Sequence, residues 1–398
     1  MIDFTKEETY LATRPPFDRA MTLMADAYRS RKFFELEKDR VFSRSWVCVG
    51  YVSQVAQPGD IFLTTVAAQP LMITRDKTDN IRGFYNVCRH RGSRLIDEDG
   101  NYESIRCPYH SWRYSLDGSL LSTPFFHAEN NSQDDSLVYS DEANNFNKKD
   151  FPLFSVHVDI WGCFIFVNLN PNPIPLKEWL GDLPDRLRRY PLKDLGLVAR
   201  KHYALKANWK IVAENFTENY HLRWVHPRLT QFSKLENKAR FQGPGMYNGW
   251  CTSPLTPDPT TVDMQLVPHH TLNATEKNSA YFFLVFPNLC LFVLPDHIFA
   301  LLYQPSETGE TQETGDMLVL PSTMNDPDTR HRIGKIHEFW HEVNLEDQEA
   351  VERVQKGMAA QVYQGGRMSS QYEEPVHRFQ NMVIDCMIGN ISIPPGDL

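Results

Sequence analysis

Between Val41 and Asn168, short apolar and β-branched runs recur: "WVCVGYV", "IFLTTVAA", "PLMIT" and "GCFIFVNL". Gly, Pro, Asp and Asn separate them, and runs of this length bounded by turn residues predict a domain of short strands. The polar stretch "HAENNSQDDSLVYSDEANNFNKKD" at 127–150 interrupts the pattern and predicts an excursion loop. Upstream, residues 1–40 read as a helical segment, with Ala20 to Arg31 rich in helix formers. After "NPNPIP" the pattern is mixed: a helix, a strand-rich middle from about 245 to 320, then long helical stretches to about 365. Within that middle, "PSETGETQETGD" (305–316) predicts an exposed hairpin tip. No internal repeat is visible. The expectation is an α+β chain in which 41–168 form an all-β domain and 169–398 a second domain, joined by 1–40 as its N-terminal helical segment.

Charge narrows the partners. Of 398 residues, 41 are Lys or Arg and 50 are Asp or Glu, a net charge of −9 that argues against nucleic acid or an anionic membrane. The best membrane candidate, "YFFLVFPNLCLFVLPDHIFALLY" at 281–303, is broken by Pro287, Asn288, Pro295, Asp296 and His297. A spanning helix needs about 20 mostly unbroken apolar residues, so these pieces predict buried strands. "MIDFTKEETYLATRPP" has neither a basic n-region nor an apolar h-region. The expected compartment is therefore the cytoplasm, where seven cysteines suggest buried small side chains or metal ligands.

Two of the seven stand in a pattern. "CRHRG" holds Cys88 and His90; sixteen residues later "CPYHSW" holds Cys107 and His110. One reading is two buried cysteines beside two surface histidines, and another is a Cys₂His₂ zinc site. Structural zinc usually pairs its cysteines in one knuckle and its histidines in another unit. Here each loop supplies one of each, which suits an object with two unlike ends. A Rieske [2Fe–2S] centre is such an object, with two cysteines on one iron and two histidines on the other.

A second constellation lies in "NWKIVAENFTENYHLRWVHP", Asn208 to Pro227. Read as a helix, it puts Trp209, Val212, Ala213, Phe216 and Tyr220 on one apolar face and Glu214, Glu218 and His221 on the other. Glu218 and His221, three apart, would be surface neighbours. Pro227 pushes His226 out of the α region, so His226 is expected where the helix ends. Taken alone, the stretch also reads as a solvated polar face with incidental histidines.

"CRHRG…CPYHSW" and the acid-x-x-His-x₄-His arrangement closely resemble the Rieske non-haem iron oxygenases, catalytic (α) subunit. That resemblance implies an all-β Rieske domain followed by a helix-grip (START-like) domain with a twisted antiparallel sheet and C-terminal helices. It implies that Cys88, His90, Cys107 and His110 bind the [2Fe–2S] cluster and that His221 and His226 bind a mononuclear Fe(II). It also implies that Glu218 bridges His221 to His110 of a neighbouring subunit. Most members carry aspartate at that position; glutamate resembles the carnitine-oxygenase branch. Asn215 resembles a family asparagine near the iron.

A two-His, one-carboxylate iron site needs a further acid. The family draws it from a C-terminal acid-Asp-x₄-Glu-x-x-Gln helix, and "EDQEAVERVQKGM" matches at Glu346, Asp347, Glu352 and Gln355. Independently, if 344–358 is helical, Ala350, Val351, Val354 and Met358 form its buried stripe, and Asp347 alone of the acids lies on it. A lone acid on an apolar face needs a partner such as a metal. The alternative is that Asn344 caps the helix and Asp347 sits in its first turn. Just upstream, "HEFWH" (His337 to His341) matches the zinc-protease pattern H-E-x-x-H. His337 borders an apolar stripe of Ile333, Ile336 and Trp340, as a packed core histidine does, and Asn344 stands where a metzincin needs glycine.

No G-x-G-x-x-G follows a strand and no C-x₄-C-x₂-C run is present. A separate flavin/iron–sulfur reductase is therefore implied, and the family's usual assembly is a homotrimer. The overall pattern resembles monooxygenases that hydroxylate or N-demethylate quaternary ammonium compounds such as carnitine, choline and betaines. The alternative is hydroxylation of an aromatic acid by the same iron.

Overall fold

The computed structural model describes residues 2–124, 146–232, 238–240, 242–255 and 264–396. Most of the expected excursion loop lies outside these residues. Among them, the first unit is a seven-stranded antiparallel sheet in the order Val47–Tyr51, Phe164–Asn168, Ser155–Trp161, Ile81–Tyr85, Gln69–Arg75, Asp60–Val66 and Gly100–Asn101. Its strands are the short apolar runs of the sequence. Asp60–Val66 and Gln69–Arg75 are joined by a two-residue turn in which Ala67 and Ala68 both have positive φ, 51° and 62°. That turn matches the twist of antiparallel strands at some cost in backbone strain for a non-glycine pair. A small sheet, Ile105–Arg106, Arg113–Tyr114 and Leu120–Ser122, carries the second Cys-His loop.

The second unit is another seven-stranded antiparallel sheet, in the order Gly196–Leu205, Glu310–Val319, Ile298–Glu307, Leu289–Val293, Ala280–Val285, Tyr247–Thr252 and Lys238–Arg240. The apolar stretch at 281–303 supplies three of these strands, and no described helix is long and apolar enough to cross a membrane. Register aligns Trp250, Phe282, Phe292 and Phe299 in one row across four strands. Trp250 stacks on Phe282 at 3.8 Å, and Trp340 stacks on Phe299 at 5.7 Å. Trp340 belongs to the long helix Pro327–Met358, so the sheet's aromatic face grips that helix. The site helix Trp209–Thr217 and the last helix Glu374–Ile388 pack on the same side.

The two units meet through specific polar contacts. The Asn288 amide accepts from the Cys48 N–H and donates to the Cys48 carbonyl, at 2.9 and 2.8 Å. Buried Asp316 accepts from Tyr51 at 2.7 Å and from Arg200 at 2.6 and 2.8 Å. A groove of ≈ 1010 Å³ lies along this seam, lined by Lys38, Gln54, Leu71, His202 and Gln304 among others. None of His221, His226 and Asp347 lines it. The N-terminal segment packs on the second unit: Tyr28 donates to Glu214, and Glu37 pairs with Lys210, both fully buried.

Several expectations are corrected. Ala20 to Arg31 is not one helix: the helices are Asp26–Arg29 and Arg31–Glu37, separated by extended Ser30, whose hydroxyl caps the second. The hairpin tip is only Thr308 and Gly309, because antiparallel pairing continues to Glu310 and turns Thr311, Glu313 and Asp316 into the interior. Val354 is 45% exposed, while Val351 and Met358 are buried. Asn344 lies mid-helix; the cap is Asp326, whose carboxylate accepts from Thr329 N–H.

Candidate functional site

The two Cys-His loops are built alike. In each, the N–H four residues past the cysteine returns to the cysteine carbonyl, Gly92 to Cys88 and Ser111 to Cys107, both at 3.0 Å. Each cysteine N–H reaches the carbonyl five residues on, Ser93 and Trp112, both at 2.8 Å. Closing such a loop takes a positive φ at the fourth position, 73° for Gly92 and 59° for Ser111. The loops face each other: His90 and His110 rings lie 4.6 Å apart, and buried Trp112 stacks on His90 at 4.9 Å. The Tyr114 hydroxyl lies 3.3 Å from Cys88 Sγ. Burial raises the Cys107 thiol, but N–H groups of His110 and Tyr109 aimed at its sulfur outweigh that and lower it. Hydrogen bonds to sulfur are one of the means by which a protein sets a cluster's potential. His110 faces outward beside exposed Tyr109 and 3.2 Å from Arg91 Nη2.

The second cluster differs from its expected helix. The site helix ends at Thr217, and Glu218 is extended, with φ −116° and ψ 161°. Glu214, expected on a polar face, is held inside by Tyr28 and Gln380, whereas Tyr220, expected on the apolar face, is 51% exposed. Glu218 and His221 still meet, for another reason. The Glu218 carboxylate folds back to accept from the N–H groups of Tyr220 and His221, and its other oxygen lies 2.5 Å from His221 Nδ1. His221 and His226 flank the one-turn helix Leu222–Val225, and His226 has left the helical region with φ −120° and ψ 68°.

These two imidazoles meet Asp347 of the long helix. His226 Nε2 and His221 Nε2 lie 2.9 and 3.5 Å from Asp347 Oδ1. Among the described residues this is the one group of three His, Cys, Asp or Glu placed to share a metal ion, with ligand atoms within 4.8 Å of one another. The Asn215 amide donates to the same Oδ1 at 2.7 Å. Burial pushes Asp347 up, but His226, His221 and Asn215 outweigh it and hold the carboxyl below its usual value. Each Nδ1 is bound by a carboxylate, His221 by Glu218 and His226 by Glu346 at 2.6 Å. That arrangement fixes the proton on Nδ1 and turns Nε2 inward as a ligand. The role of Glu346 went unassigned in the sequence; its signal was adjacency to Asp347 in the matched motif. Glu352 and Gln355 accept from the N–H groups of Lys206 and Asn208, which fixes the long helix against the site helix.

The H-E-x-x-H histidines do not converge. His337 Nε2 lies 3.3 Å from the Gly315 carbonyl, His341 Nδ1 lies 3.0 Å from the Tyr203 hydroxyl, and Glu338 pairs with Lys201.

Residues 45–136 match the model of the Rieske [2Fe-2S] domain, and residues 192–389 that of the ring hydroxylating alpha subunit, catalytic domain. The chain is 35% identical over 213 residues to the carnitine monooxygenase oxygenase subunit of Acinetobacter pittii, a match covering 53% of this chain and 54% of that subunit. It thus spans about half the length of that relative. It is 28% identical over 371 residues to the carnitine monooxygenase oxygenase subunit of Escherichia coli K12, covering 91% of this chain and 90% of the other. The crystal structure of the quaternary ammonium Rieske monooxygenase CntA with L-carnitine superposes with a TM-score of 0.76 at 26% identity, covering 93% and 96% of the two chains.

Proposed function

The chain belongs to the Rieske non-haem iron oxygenases, as a catalytic α subunit, and from that premise we propose that it is the terminal oxygenase of a multicomponent monooxygenase acting on a small quaternary ammonium or betaine-like compound. The observation that carries the oxygenase reading is the meeting of two inward Nε2 atoms with one carboxylate, each imidazole held from behind by a second carboxylate. This donor set suits a divalent cation: two neutral imidazoles and a carboxylate leave positions open, as in facial-triad Fe(II) sites. In the same reading Cys88, His90, Cys107 and His110 hold a [2Fe–2S] cluster. When bound, the cluster relays single electrons and the ferrous iron activates dioxygen for insertion into a C–H bond.

The residues themselves do the rest. Glu218 and Glu346 keep the imidazoles oriented, and the Asn215 amide holds Asp347 Oδ1 in place. The aromatic row packs the sheet against the helix that carries Asp347 and helps to exclude water. Hydroxylating a carbon bound to nitrogen gives a carbinolamine, which collapses to an amine and a carbonyl compound. Within one chain, His110 contacts Arg91 and Glu218 contacts His221, with no hydrogen bond between the two. In this reading the bridge joins neighbouring copies in a homotrimer; inter-subunit electron transfer is described for the carnitine-oxidising relative. Electrons enter from a separate flavin/iron–sulfur reductase.

The test is substrate-dependent O₂ uptake with a surrogate reductase. Release of amine and aldehyde from carnitine, choline or a betaine is the expected outcome. Hydroxylated product from an aromatic acid, with none from these, would replace the substrate assignment and leave the oxygenase chemistry standing.

A further inference from the structure

Trp46, Trp179 and Trp250 satisfy their indole N–H groups on backbone carbonyls, which are too weakly basic to take a proton. Buried Trp340 is different: its Nε1–H donates to His297 Nε2 at 3.1 Å. His297 Nδ1 in turn lies 2.7 Å from Asp296 Oδ1, and the other oxygen of Asp296 accepts from the Leu266 N–H at 2.9 Å. Because the carboxylate accepts, Nδ1 carries the imidazole proton and Nε2 presents its lone pair to the indole. A carbonyl would have sufficed to satisfy a buried indole. An imidazole backed by a carboxylate can also take the indole proton.

Trp340 stands seven residues before Asp347 on the same face of the long helix, two turns or about 10 Å away. Packed rings join it to the site as well. Phe216, next to the Asn215 that holds Asp347, meets Phe292 at 5.0 Å, and Phe292 meets Trp340 at 4.9 Å. On its other side Trp340 stacks on Phe299, with the planes 12° apart. Phe299 leads on to Tyr203: a Cβ on Gly315 would strike ring atoms of Phe299 and Tyr203 at 2.9 and 3.1 Å, so both rings crowd the space that glycine leaves. The Tyr203 hydroxyl lies 3.0 Å from Nδ1 of His341, whose side chain is partly exposed. Indole and phenol both lose a proton when they lose an electron. Each oxidisable ring on this line has an imidazole on the proton it would lose.

We infer that Trp340 and Tyr203 form a protective electron relay: when no C–H bond is in reach of the iron, they carry its oxidising equivalent away from the ligands and toward the surface. His297 and His341 are the proton acceptors. The inference rests on the oxygenase reading above. Trp340 gives one electron toward the iron and its Nε1 proton to His297 Nε2, leaving a neutral indolyl radical and an imidazolium held by Asp296. Tyr203 then gives one electron to that radical, His297 returns the proton to Nε1, and the phenolic proton passes to His341. A solvent thiol reduces the Tyr203 radical, and His341 returns the proton. Two passes give O₂ + 2 e⁻ + 2 RSH + 2 H⁺ → 2 H₂O + RSSR, with the two free electrons from the reductase. The final Trp-His of "HEFWH", Trp340 and His341, thereby gain a use that is not metal binding.

The experiment is freeze-quench electron paramagnetic resonance on the full-length holoprotein, mixed with hydrogen peroxide and no substrate. Wild type is expected to show an organic radical whose hyperfine pattern changes when the protein carries indole-deuterated tryptophan. Trp340→Phe, which keeps a ring against Phe299, is expected to lose that radical. His297→Gln is expected to lower its yield at least about tenfold, because the glutamine amide cannot take the indole proton. Tyr203→Phe is expected to lengthen its lifetime at least about tenfold, because the next electron donor is gone. Peroxide consumed with no label-sensitive radical, or the same radical in Trp340→Phe, overturns the relay. An unchanged yield in His297→Gln overturns the role of His297 and, since that variant leaves every ring in place, decides the matter if Trp340→Phe does not fold. A chain that forms the radical but oxidises no compound with reductase and O₂ overturns the oxygenase reading instead.

Discussion

In the cradle of Cys88, His90, Cys107 and His110, each loop brings two donors from within four residues and closes on its own hydrogen bonds. At His221, His226 and Asp347, two donors flank a single helical turn and the third comes from a helix 121 residues further on. A cradle made of local loops needs little of the fold beyond two anchored turns. A site drawn from distant elements exists only while the sheet, the site helix and the long helix are packed. The comparison teaches that the two centres are independent in construction and should fail independently.

The largest effect expected follows from that independence. Asp347→Ala removes the carboxylate shared by both Nε2 atoms, and oxygenase turnover should fall at least about a thousandfold. Bound mononuclear iron should be lost while the visible absorption of the cluster stays. Cys107→Ser should do the reverse, bleaching the cluster and leaving the other iron in place. Metal analysis with an absorption spectrum reads both. Loss of both centres in either variant would break the comparison.

The same contrast governs what could be read from the chain alone. Cys88, His90, Cys107 and His110 could be grouped from the chain alone because spacing inside a loop is sequence spacing, and the structure sets their two loops face to face. Glu218 and His221 were paired correctly on a wrong premise: the helix stops at Thr217, and the contact arises from a carboxylate capping the next turn. Glu313 was placed on an exposed tip because its neighbours are polar. Antiparallel register, which turns alternate side chains to opposite faces, put it inside instead. Glu346 was legible as a motif letter but not as a partner of His226, since that contact spans 120 residues. Composition reports average exposure, and distant contacts depend on register and packing that no local window contains.

A smaller effect sharpens the comparison from behind the ligands. Glu346→Gln keeps the size of the side chain but weakens its hold on His226 Nδ1. Loss of such a supporting contact typically costs tenfold or more in metal affinity, so Fe(II) affinity should drop roughly tenfold with the cluster unchanged. A metal titration of iron-depleted protein measures it. An unchanged affinity would mean that packing around buried His226 alone sets the ligand's orientation.

The helix-borne site should also carry a pH signature of its own. Burial raises Glu214 from 4.5 to about 7, against hydrogen bonds from Tyr28 and Gln380, and Glu313 rises to about 8. Between about pH 4.5 and these values the folded chain holds protons that the unfolded chain has released. Stability is therefore fully present below that window and falls as pH rises through it. The melting temperature should drop by roughly 3–6 °C between about pH 6 and about pH 9, and Glu214→Gln should flatten part of the slope. A melt that rises over this range would contradict both assignments.

The smallest effect belongs to the motif that looked most like a metal site. His337 is buried, its Nε2 reaches a backbone carbonyl, and its ring meets Phe299 edge-on at 6.2 Å. Its work is to fill the space between the long helix and the sheet and to satisfy the Gly315 oxygen. His337→Ala should therefore cost about 1–2 kcal/mol of stability, through a small cavity and an unpaired acceptor. Neither bound iron nor cluster absorption should change. Loss of the mononuclear iron in a folded His337→Ala protein would make this histidine part of the centre after all. The line between a packing residue and a ligand rests here on where Nε2 points, toward Gly315 in His337 and toward Asp347 in His221 and His226.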